Sequence, residues 1–349
     1  MKKTLKLLLI VLCSILALVS ALIIYLSVTE YRPDSIETVS VNGSSEKKLA
    51  AGDSIELLSF NIGYASLSET EDFFMDGGKS VAPQSVELVE NNLDAIIQVL
   101  AEHDVDFYLI QEIDRDSQRS FHINEFELIA ENIADYNNSF ALNYKCDFVP
   151  FPLPFIGKVD SGIASFSRFS VTSAERHSLP NPFAWPVRLA NLKRCFLVQR
   201  TPVEGSTSEL IIINTHLEAY ESGEGRAAQT AQILDFVNQE YAKGNYVVVG
   251  GDFNQSFPNS VFPRLNEDYW WPPPIDSSLL DEGLRYVSDS GVPTCRLLNE
   301  PYISVEKPQY YIIDGFLVSP NLTVEANETF NLDFKNSDHN PVYIKLTLN

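Results

Sequence analysis

The chain has few of the residues that build thiolate metal sites or disulfide frameworks. Its 349 residues include four cysteines, and no two of them are close in sequence. Zinc sites and redox motifs normally place two cysteines within a few residues of each other, and small disulfide scaffolds are cysteine-dense. The cysteine spacing therefore argues against both classes. The four positions are Cys13, Cys146, Cys195 and Cys295.

Basic residues are also scarce. Lys and Arg number 25 against 47 Asp and Glu, so the formal net charge is −22. Such a balance disfavours a protein that holds polyanions through a basic surface. A divalent cation can supply positive charge locally, so a hydrolase acting on nucleic acid stays open. The 45% apolar content is enough for one large core or two smaller ones.

The N-terminus carries an almost uncharged apolar run over residues 7–28, after a short stub, 1–6, that contains three lysines. The run is long enough to cross a bilayer as a helix, and the basic stub predicts a cytoplasmic N-terminus with the remaining chain outside. The alternative is a signal peptide cleaved after the small residues 19–21, which would give a secreted protein. We favour a single-pass anchor in the cell membrane, because cleavage would leave the apolar stretch 22–26 at the new terminus.

A polar segment, 29–53, follows and is interpreted as a linker to a catalytic domain over 54–349. Beyond it, segments of strand and helix character alternate, and the helices are expected at 84–102 and 226–241. Many strands with few long helices predict a layered α/β or α+β fold with two packed sheets flanked by helices. The predicted strands are 55–60, 106–110, 163–166, 195–199, 209–213, 246–249, 310–313, 316–318 and 343–346.

Polar or titratable residues stand beside several of these apolar runs. The ends of strands are where open sheets place chemistry, since the strand holds the side chain and the loop exposes it. A carboxylate inside an apolar run, as at Asp314, is costly to bury unless it is hydrogen-bonded or has a catalytic task. Each residue alone could be a turn or cap residue. Together the positions are Asn61, Glu112, His216, Asp252, Asn254, Asp314, Asp338 and His339.

The types of these side chains indicate a hard metal ion and phosphate chemistry. Oxygen donors with two histidines and no cysteine suit Mg²⁺ or Ca²⁺. Glu112 together with Asn61 or Asp338 would suffice for Mg²⁺. Phosphoester hydrolysis requires neutralised phosphate oxygens, an aligned water and a stabilised leaving oxygen. This set of side chains can supply all three.

Six short stretches occur in the order found in the endonuclease/exonuclease/phosphatase superfamily, and the chain resembles that group over about 55–348. The group includes DNase I-like nucleases, abasic-site endonucleases, inositol polyphosphate 5-phosphatases and neutral sphingomyelinases. The resemblance implies a four-layer αββα sandwich with two packed mixed β-sheets, and Mg²⁺-dependent hydrolysis of a phosphate ester. The stretches are 59–62, 111–113, 214–217, 251–254, 313–316 and 337–342.

The resemblance also implies metal ligands. Glu112 is expected to be the main ligand, with Asn61 beside it and Asp338 as an outer ligand of the metal or its water. The expected ion is Mg²⁺, with Mn²⁺ or Ca²⁺ as alternatives.

The remaining matched residues are expected to act on the phosphate and the water. By resemblance, His216 contacts the phosphate, Asp252 activates or orients the attacking water, and Asn254 hydrogen-bonds the transition state. His339 is expected to transfer a proton, with its other ring nitrogen held by Asp314. A catalytic histidine needs such an orienting carboxylate.

The substrate is less clearly indicated. Three insertions rich in aromatic residues and proline, 149–156, 181–186 and 269–275, suit either a membrane interface or loops packed on the domain. Glu112 is followed by Ile113 and Asp114, with no adjacent basic residue, which lowers the expectation of DNA binding. Basic candidates for contacts to a phosphate or headgroup are Arg168, Arg188, Lys193, Arg194 and Arg226.

Three functions are carried forward. The first is a monomeric, membrane-anchored, outward-facing phosphodiesterase that acts on a lipid headgroup or another small phosphoester. The second is an extracellular nuclease of the same chemistry. The third is a non-catalytic binding module, which is disfavoured because no residue of the matched stretches is lost.

Overall fold

Two β-sheets pack face to face in the computed structural model, which describes residues 2–221, 223–258 and 260–349. Met1, in the predicted stub 1–6, lies outside this range. The helices are α1 (Lys2–Val28), α2 (Val86–His103), α3 (Glu125–Asn132) and α4 (Glu224–Ala242). The first eight strands are β1 (Ile36–Val39), β2 (Leu49–Ala50), β3 (Ser54–Asn61), β4 (Phe107–Asp114), β5 (Asn137–Val149), β6 (Gly157–Ser167), β7 (Ser173–Ser178) and β8 (Cys195–Glu204). The others are β9 (Glu209–His216), β10 (Tyr246–Asp252), β11 (Arg285–Val287), β12 (Cys295–Arg296), β13 (Tyr310–Tyr311), β14 (Asp314–Val318), β15 (Leu322–Thr329) and β16 (Val342–Leu348).

Both large sheets are mixed. The six-stranded sheet has the order β15-β16-β3-β4-β6-β5, in which β3 and β4 are parallel. The other sheet runs β1-β7-β8-β9-β10-β14-β11, with β2 paired to β8, and β9 and β10 are its parallel pair. Strands β12 and β13 form a separate short ribbon. Each sheet therefore has a parallel pair near its centre.

The central strands are apolar on both faces because both faces are covered. In β9, Leu210 and Ile212 point into the core between the two sheets, whereas Ile211 and Ile213 pack beneath α4. Sheets covered on both sides read as continuous apolar runs rather than alternating ones. The same covering explains the unbroken valines of β10.

The helices complete the outer layers. The apolar face of α2, including Leu93 and Ile96, packs on the outer side of the six-stranded sheet, and Ile129 of α3 joins the same cluster. Ile233 and Val237 of α4 pack on the outer side of the other sheet. The order is helix, sheet, sheet, helix, which confirms the predicted αββα sandwich.

The segment 29–53 differs from the expected linker. Strand β1 pairs with β7, and Leu49 of β2 is fully buried in the core between the sheets. Asn42 forms an isolated bridge with Asn138. The polar composition of the segment gave no indication of this pairing, because backbone hydrogen bonding along a sheet edge requires no apolar sequence. The segment is part of the folded unit.

Helix α1 precedes this segment and, between Lys3 and Val28, is long and apolar enough to span a membrane by length and composition, with a mean hydropathy of 3.2. Most of it is exposed, but its last turns contact the domain. Leu26 is buried, and Leu22 and Ile23 pack against the same cluster. The helix is therefore attached to the domain by packing as well as by the chain.

Candidate active site

Strand register brings three of the predicted site residues side by side. Asp252, the last residue of β10, lies opposite His216 at the end of parallel β9. On its other side it lies opposite Asp314, the first residue of antiparallel β14. The gap between β9 and β10 is tight at this end, since a Cβ on Gly251 would lie 1.9 Å from the Thr215 carbonyl oxygen. Glycine is required there, and its presence lets the neighbouring strands carry their polar ends close together.

Asn61 and Glu112 occupy the corresponding ends of β3 and β4. The Asn61 Nδ2 lies 3.2 Å from the Glu112 Oε1 and 3.1 Å from the Asp252 Oδ2. Glu112 has a positive φ of 50° at an irregularity in the pairing of β4 with β6. Positive φ in a non-glycine residue is uncommon, and such positions cluster at functional sites. Its side chain is 26% exposed, which makes it the most accessible carboxylate of the site.

The loop before β16 brings Asp338 and His339 over these strand ends. Ser337 fixes the loop by donating its hydroxyl to the Asn61 carbonyl oxygen at 2.8 Å. The His339 Nδ1 lies 2.9 Å from the Asp314 Oδ2, so the predicted pairing of imidazole and carboxylate is present. Burial alone would lower the pKa of His339, but the adjacent Asp314 and Asp338 carboxylates raise it well above its usual value.

Asp252 lies at the centre of the site. Its Oδ2 is 3.4 Å from the His216 Nε2 and 3.8 Å from the His339 Nε2. Burial, followed by the nearby Asp314 charge, raises the pKa of Asp252. A carboxyl group with a raised pKa beside two imidazoles is suited to accept a proton near neutral pH.

His216 and Asn254 have more restricted environments. Burial, reinforced by the positive charge of Arg194, lowers the pKa of His216 well below its usual value, and its buried Nδ1 has no hydrogen-bond partner. Asn254 has a positive φ of 49°, and its Nδ2 donates to the Leu217 carbonyl oxygen at 2.9 Å. One of its two N–H groups is thus used within the protein.

The donor chemistry fits a hard cation. Burial raises the pKa of Asp338, His339 opposes this rise and the Glu112 charge adds to it, so the Asp338 carboxylate lacks part of its compensating charge. A cation would supply that charge. Asn61, however, directs its Nδ2 toward Glu112, while its Oδ1 accepts from the Gly63 N–H at 3.1 Å. As placed here, Asn61 orients Glu112, and its amide would have to turn over to offer oxygen to a metal.

The protein also groups other potential ligand atoms closely. Ligand atoms of Asp252, Asp314 and His339 lie within 4.8 Å of one another, as do those of Cys295, Asp338 and His339. Neither trio contains Glu112, the expected main ligand. All members of both trios are buried, whereas the Glu112 side chain is 26% exposed.

A pocket of about 540 Å³ opens above these residues. Six of the eight predicted residues line it, and Asn61 and Asp314 lie in contact with them. We call the eight residues the polar floor. Many of the other lining residues are apolar, and we call six of them the apolar wall. The polar floor consists of Asn61, Glu112, His216, Asp252, Asn254, Asp314, Asp338 and His339. The apolar wall consists of Phe74, Phe151, Ile156, Phe183, Val187 and Leu192.

Sequence reasoning missed Arg119, which also lines the pocket. Its guanidinium donates two hydrogen bonds to Asp114, at 3.1 and 2.9 Å, and lies 3.6 Å from the centre of the Tyr64 ring. The signal that could have found it is Asp114 itself, a carboxylate in a buried strand that requires a cationic partner.

The structure separates the basic candidates. Arg194 lines the pocket, and its buried Nη1 has no hydrogen-bond partner. Arg188 and Lys193 pair with Glu30 near the end of α1. The other two are held elsewhere, Arg168 by Asp104 and Arg226 by Glu221.

The three aromatic insertions also divide. In 149–156 and 181–186, Phe151 and Trp185 are 68% and 56% exposed. The third, 269–275, packs against the domain, and the Trp270 Nε1 donates to the Ala219 carbonyl oxygen at 3.2 Å. The packed interpretation therefore holds for the third insertion, whereas the first two present exposed aromatic rings.

Comparison with known proteins gives a consistent result. The family model described as Endonuclease/Exonuclease/phosphatase family matches residues 58–339. No curated protein matches the chain.

Three of the solved structures that share the fold illustrate the likeness. An endonuclease/exonuclease/phosphatase from Beutenbergia cavernae DSM 12333 is 20% identical, with a TM-score of 0.59, covering 84% of this chain and 72% of its own. ANGEL2, a 2′,3′-cyclic phosphatase in complex with adenosine-2′,3′-vanadate, is 17% identical, with a TM-score of 0.56 and coverage of 89% and 99%. D. rerio TDP2, complexed with a single-strand DNA product, is 13% identical, with a TM-score of 0.54 and coverage of 84% and 99%.

The family match spans well over half of the chain and includes every residue of the polar floor. On this evidence the chain belongs to the endonuclease/exonuclease/phosphatase family, whose members generally hydrolyse phosphoester bonds and typically use divalent metal ions.

Proposed function

We propose that the protein is a membrane-anchored, outward-facing phosphodiesterase that hydrolyses the headgroup phosphoester of a lipid with the help of a divalent metal ion. The observation that carries the proposal is the pocket itself. One cavity of about 540 Å³ joins the polar floor to the apolar wall. A phosphate bound at the floor would have the apolar part of its substrate against the wall. Lipids with a phosphodiester headgroup combine these two parts in one molecule.

In this proposal the floor residues divide the work of hydrolysis. Asp252 accepts a proton from the attacking water, since it lies between two imidazoles and its pKa is raised. His339, held through Nδ1 by Asp314, presents Nε2 toward the site and stabilises the charge that develops on the phosphate oxygens. Water forms a new P–O bond and the P–O bond to the leaving alcohol breaks. The proton taken from water is returned to that alcohol.

His216 and Asn254 are assigned to the phosphate. His216 is held neutral, so one ring nitrogen can donate a hydrogen bond to a phosphate oxygen while the other accepts. Asn254 keeps one amide N–H in addition to the one bonded to Leu217. Both residues line the pocket. Their contribution is to orient the phosphorus atom for in-line attack.

Glu112 and Asp338 are the residues assigned to hold the metal, with Asn61 beside them. When bound, Mg²⁺ supplies charge neutralisation on the phosphate oxygens. Oxygen donors and the uncompensated acidic charge favour Mg²⁺, with Mn²⁺ or Ca²⁺ as alternatives.

The test is product release by the full chain in detergent or nanodiscs. The substrates are sphingomyelin, phosphoinositides, linear DNA and bis(p-nitrophenyl) phosphate, each assayed with Mg²⁺ and with EDTA. We expect release of a lipid headgroup and of p-nitrophenol with Mg²⁺, and at least a hundredfold loss of both with EDTA. Restoring Mg²⁺ should restore the rate.

A matched pair of histidine variants controls this test. His339→Ala removes the floor imidazole, whereas His122→Ala removes an exposed imidazole that pairs with Asp116 and does not line the pocket. We expect loss of activity in the first and wild-type rates in the second. Silence of folded wild-type protein on every substrate would refute the proposal.

An extracellular nuclease is the second candidate, because the similar structure of D. rerio TDP2 holds a single-strand DNA product. The formal net charge of −22 weighs against a nucleic-acid surface. DNA cleavage that depends on Mg²⁺ and His339, without lipid cleavage, would establish this candidate instead.

A further inference from the structure

The end of α1 and the substrate pocket share one apolar cluster. Leu26 is 5% exposed and packs in a cluster with Leu22 and Ile23 of the helix. The domain side of this cluster reaches the pocket, because Ile156 and Leu192 are members of both the cluster and the apolar wall. Three further residues of the cluster also line the pocket, and they are Tyr144, Val149 and Ala190. The helix therefore ends directly behind the apolar side of the pocket.

Exposed apolar side chains surround this junction. Leu153, Phe155 and Trp185 are 78%, 45% and 56% exposed, and none of them lines the pocket. The Trp185 Nε1 donates to the Ser27 hydroxyl oxygen at 3.3 Å, which ties the loop 181–186 to the last turn of α1. We call Leu153, Phe155 and Trp185 the docking face. Exposed apolar groups collected at one place on a soluble surface mark an interaction site.

Salt bridges also fix the end of α1 against the domain. Glu30 pairs with Arg32 at 2.9 Å, Arg188 at 3.2 Å and Lys193 at 3.3 Å. Arg188 and Lys193 follow the loop 181–186 along the chain, so these contacts hold that loop beside the end of the helix.

We propose that the docking face sits in the outer leaflet of the same membrane that α1 spans, so that the pocket opens onto lipids of that leaflet. The occupant of this face is a lipid surface, and the argument for it is continuity. The helix with membrane-spanning length, the exposed aromatic loops and the apolar wall form one connected surface. The inference deepens the proposed function and rests on it for the identity of the substrate. The docking itself stands on the geometry alone.

The depth of Trp185 tests the docking without any assay of activity. The full chain, with α1 shown to be intact by mass spectrometry, is reconstituted in vesicles containing brominated phosphatidylcholine. The other two tryptophans are Trp270 and Trp271, so the contribution of Trp185 is the difference between wild type and Trp185→Phe. We expect brominated lipid to quench at least half of this difference. A difference spectrum that brominated lipid leaves unchanged would overturn the proposal.

A second experiment measures the effect of the face on catalysis. The variant Leu153→Ser/Phe155→Ser/Trp185→Ser is compared with a matched variant, Leu128→Ser/Leu279→Ser, whose exposed apolar residues lie outside the pocket lining. With lipid in vesicles we expect the first variant to lose at least tenfold in rate and the second less than twofold. With bis(p-nitrophenyl) phosphate both variants should retain the wild-type rate, which also shows that they are folded.

A third experiment tests whether the enzyme takes its lipid substrate from its own membrane. Enzyme and lipid substrate are placed either in the same vesicles or in separate vesicles that are mixed. We expect at least tenfold faster hydrolysis when they share a vesicle, and equal rates would overturn the proposal.

The docking proposal and the proposed function can be refuted separately. Hydrolysis of bis(p-nitrophenyl) phosphate with an unquenched Trp185 would refute the docking alone. Quenched Trp185 with no hydrolysis of any phosphodiester would refute the proposed function alone.

Discussion

The polar floor and the apolar wall of the pocket are built in opposite ways. Floor residues stand at the ends of strands whose register fixes them, as with Asp252 between His216 and Asp314. Wall residues come from loops, and Phe151 in the wall is 68% exposed. The floor is largely buried and hydrogen-bonded, whereas part of the wall is open to solvent. Under the proposed function, we expect the floor to determine the reaction and the wall to select the substrate.

The largest effect should come from breaking the floor. His339→Ala is expected to lower kcat about a thousandfold on both bis(p-nitrophenyl) phosphate and vesicle lipid, because a positioned imidazole typically contributes a factor of about 10² to 10⁴. Steady-state kinetics on the two substrates check this. Equal loss on both assigns the residue to the shared chemistry, and loss confined to lipid would contradict the division between floor and wall.

A smaller and more selective effect should come from thinning the wall. The Phe74 and Phe151 rings lie edge to face, 6.0 Å apart. Replacing both by alanine should raise KM for a monomeric short-chain phospholipid about tenfold, because apolar contact is lost equally in the ground and transition states. The kcat for that lipid should stay the same.

The same double variant carries its own control. Turnover of bis(p-nitrophenyl) phosphate, which has no acyl chain, should match the wild-type rate. A decrease there equal to the decrease with lipid would show that these rings support the floor and not the substrate.

The smallest effect on activity should come from a region outside both. The Glu240 side chain is 2% exposed and accepts from Arg200, Lys243 and Asn245. Burial would raise the pKa of Glu240, but these hydrogen bonds lower it to about 2. Glu240→Gln should leave kcat unchanged and lower the free energy of unfolding by about 2 kcal/mol at pH 7.

The pH dependence of this loss has a definite sign. A carboxyl group whose folded pKa is depressed stabilises the protein above its unfolded pKa of about 4.3, and the stabilisation is lost as the pH falls toward 2. The difference between wild type and Glu240→Gln should therefore shrink between about pH 4 and pH 2. Denaturant unfolding at several pH values measures it, and a constant difference would contradict the assignment.

The polar floor could be predicted from the sequence more fully than the rest of the pocket. Asn61, His216 and Asp252 end apolar runs, so their positions could be predicted from pattern alone, and the αββα order followed from the matched stretches. Arg119 was indicated only by the need of the buried Asp114 carboxylate for a cationic partner, since its place in the pocket depends on the turn after β4. The split between exposed and packed aromatic insertions also depended on tertiary contacts. An insertion rich in proline and aromatic residues has the same kind of composition whether its rings are exposed or packed, so composition does not distinguish the two.

The short strands β1 and β2 were also not predicted from the sequence. Strand β2 has two residues and β1 has four, and both lie in polar sequence without a periodic pattern. Their pairing partners, β8 and β7, lie far along the chain. Local periodicity carries no information about such long-range edge pairing. The burial of Leu49, the pairing of β1 with β7 and the bridge between Asn42 and Asn138 mark the segment as structural.

The docking of β1 has a consequence for kinetics if α1 spans the membrane. Between Val28 and Ile36 the chain can extend at most about 29 Å, and β1 is already fixed to the sheet. The catalytic domain is then held close to the bilayer by this short segment, and lipid substrates reach it by two-dimensional diffusion within the leaflet. Its rate would follow the mole fraction of substrate in the leaflet, and adding inert lipid would slow it by surface dilution even at constant substrate per volume.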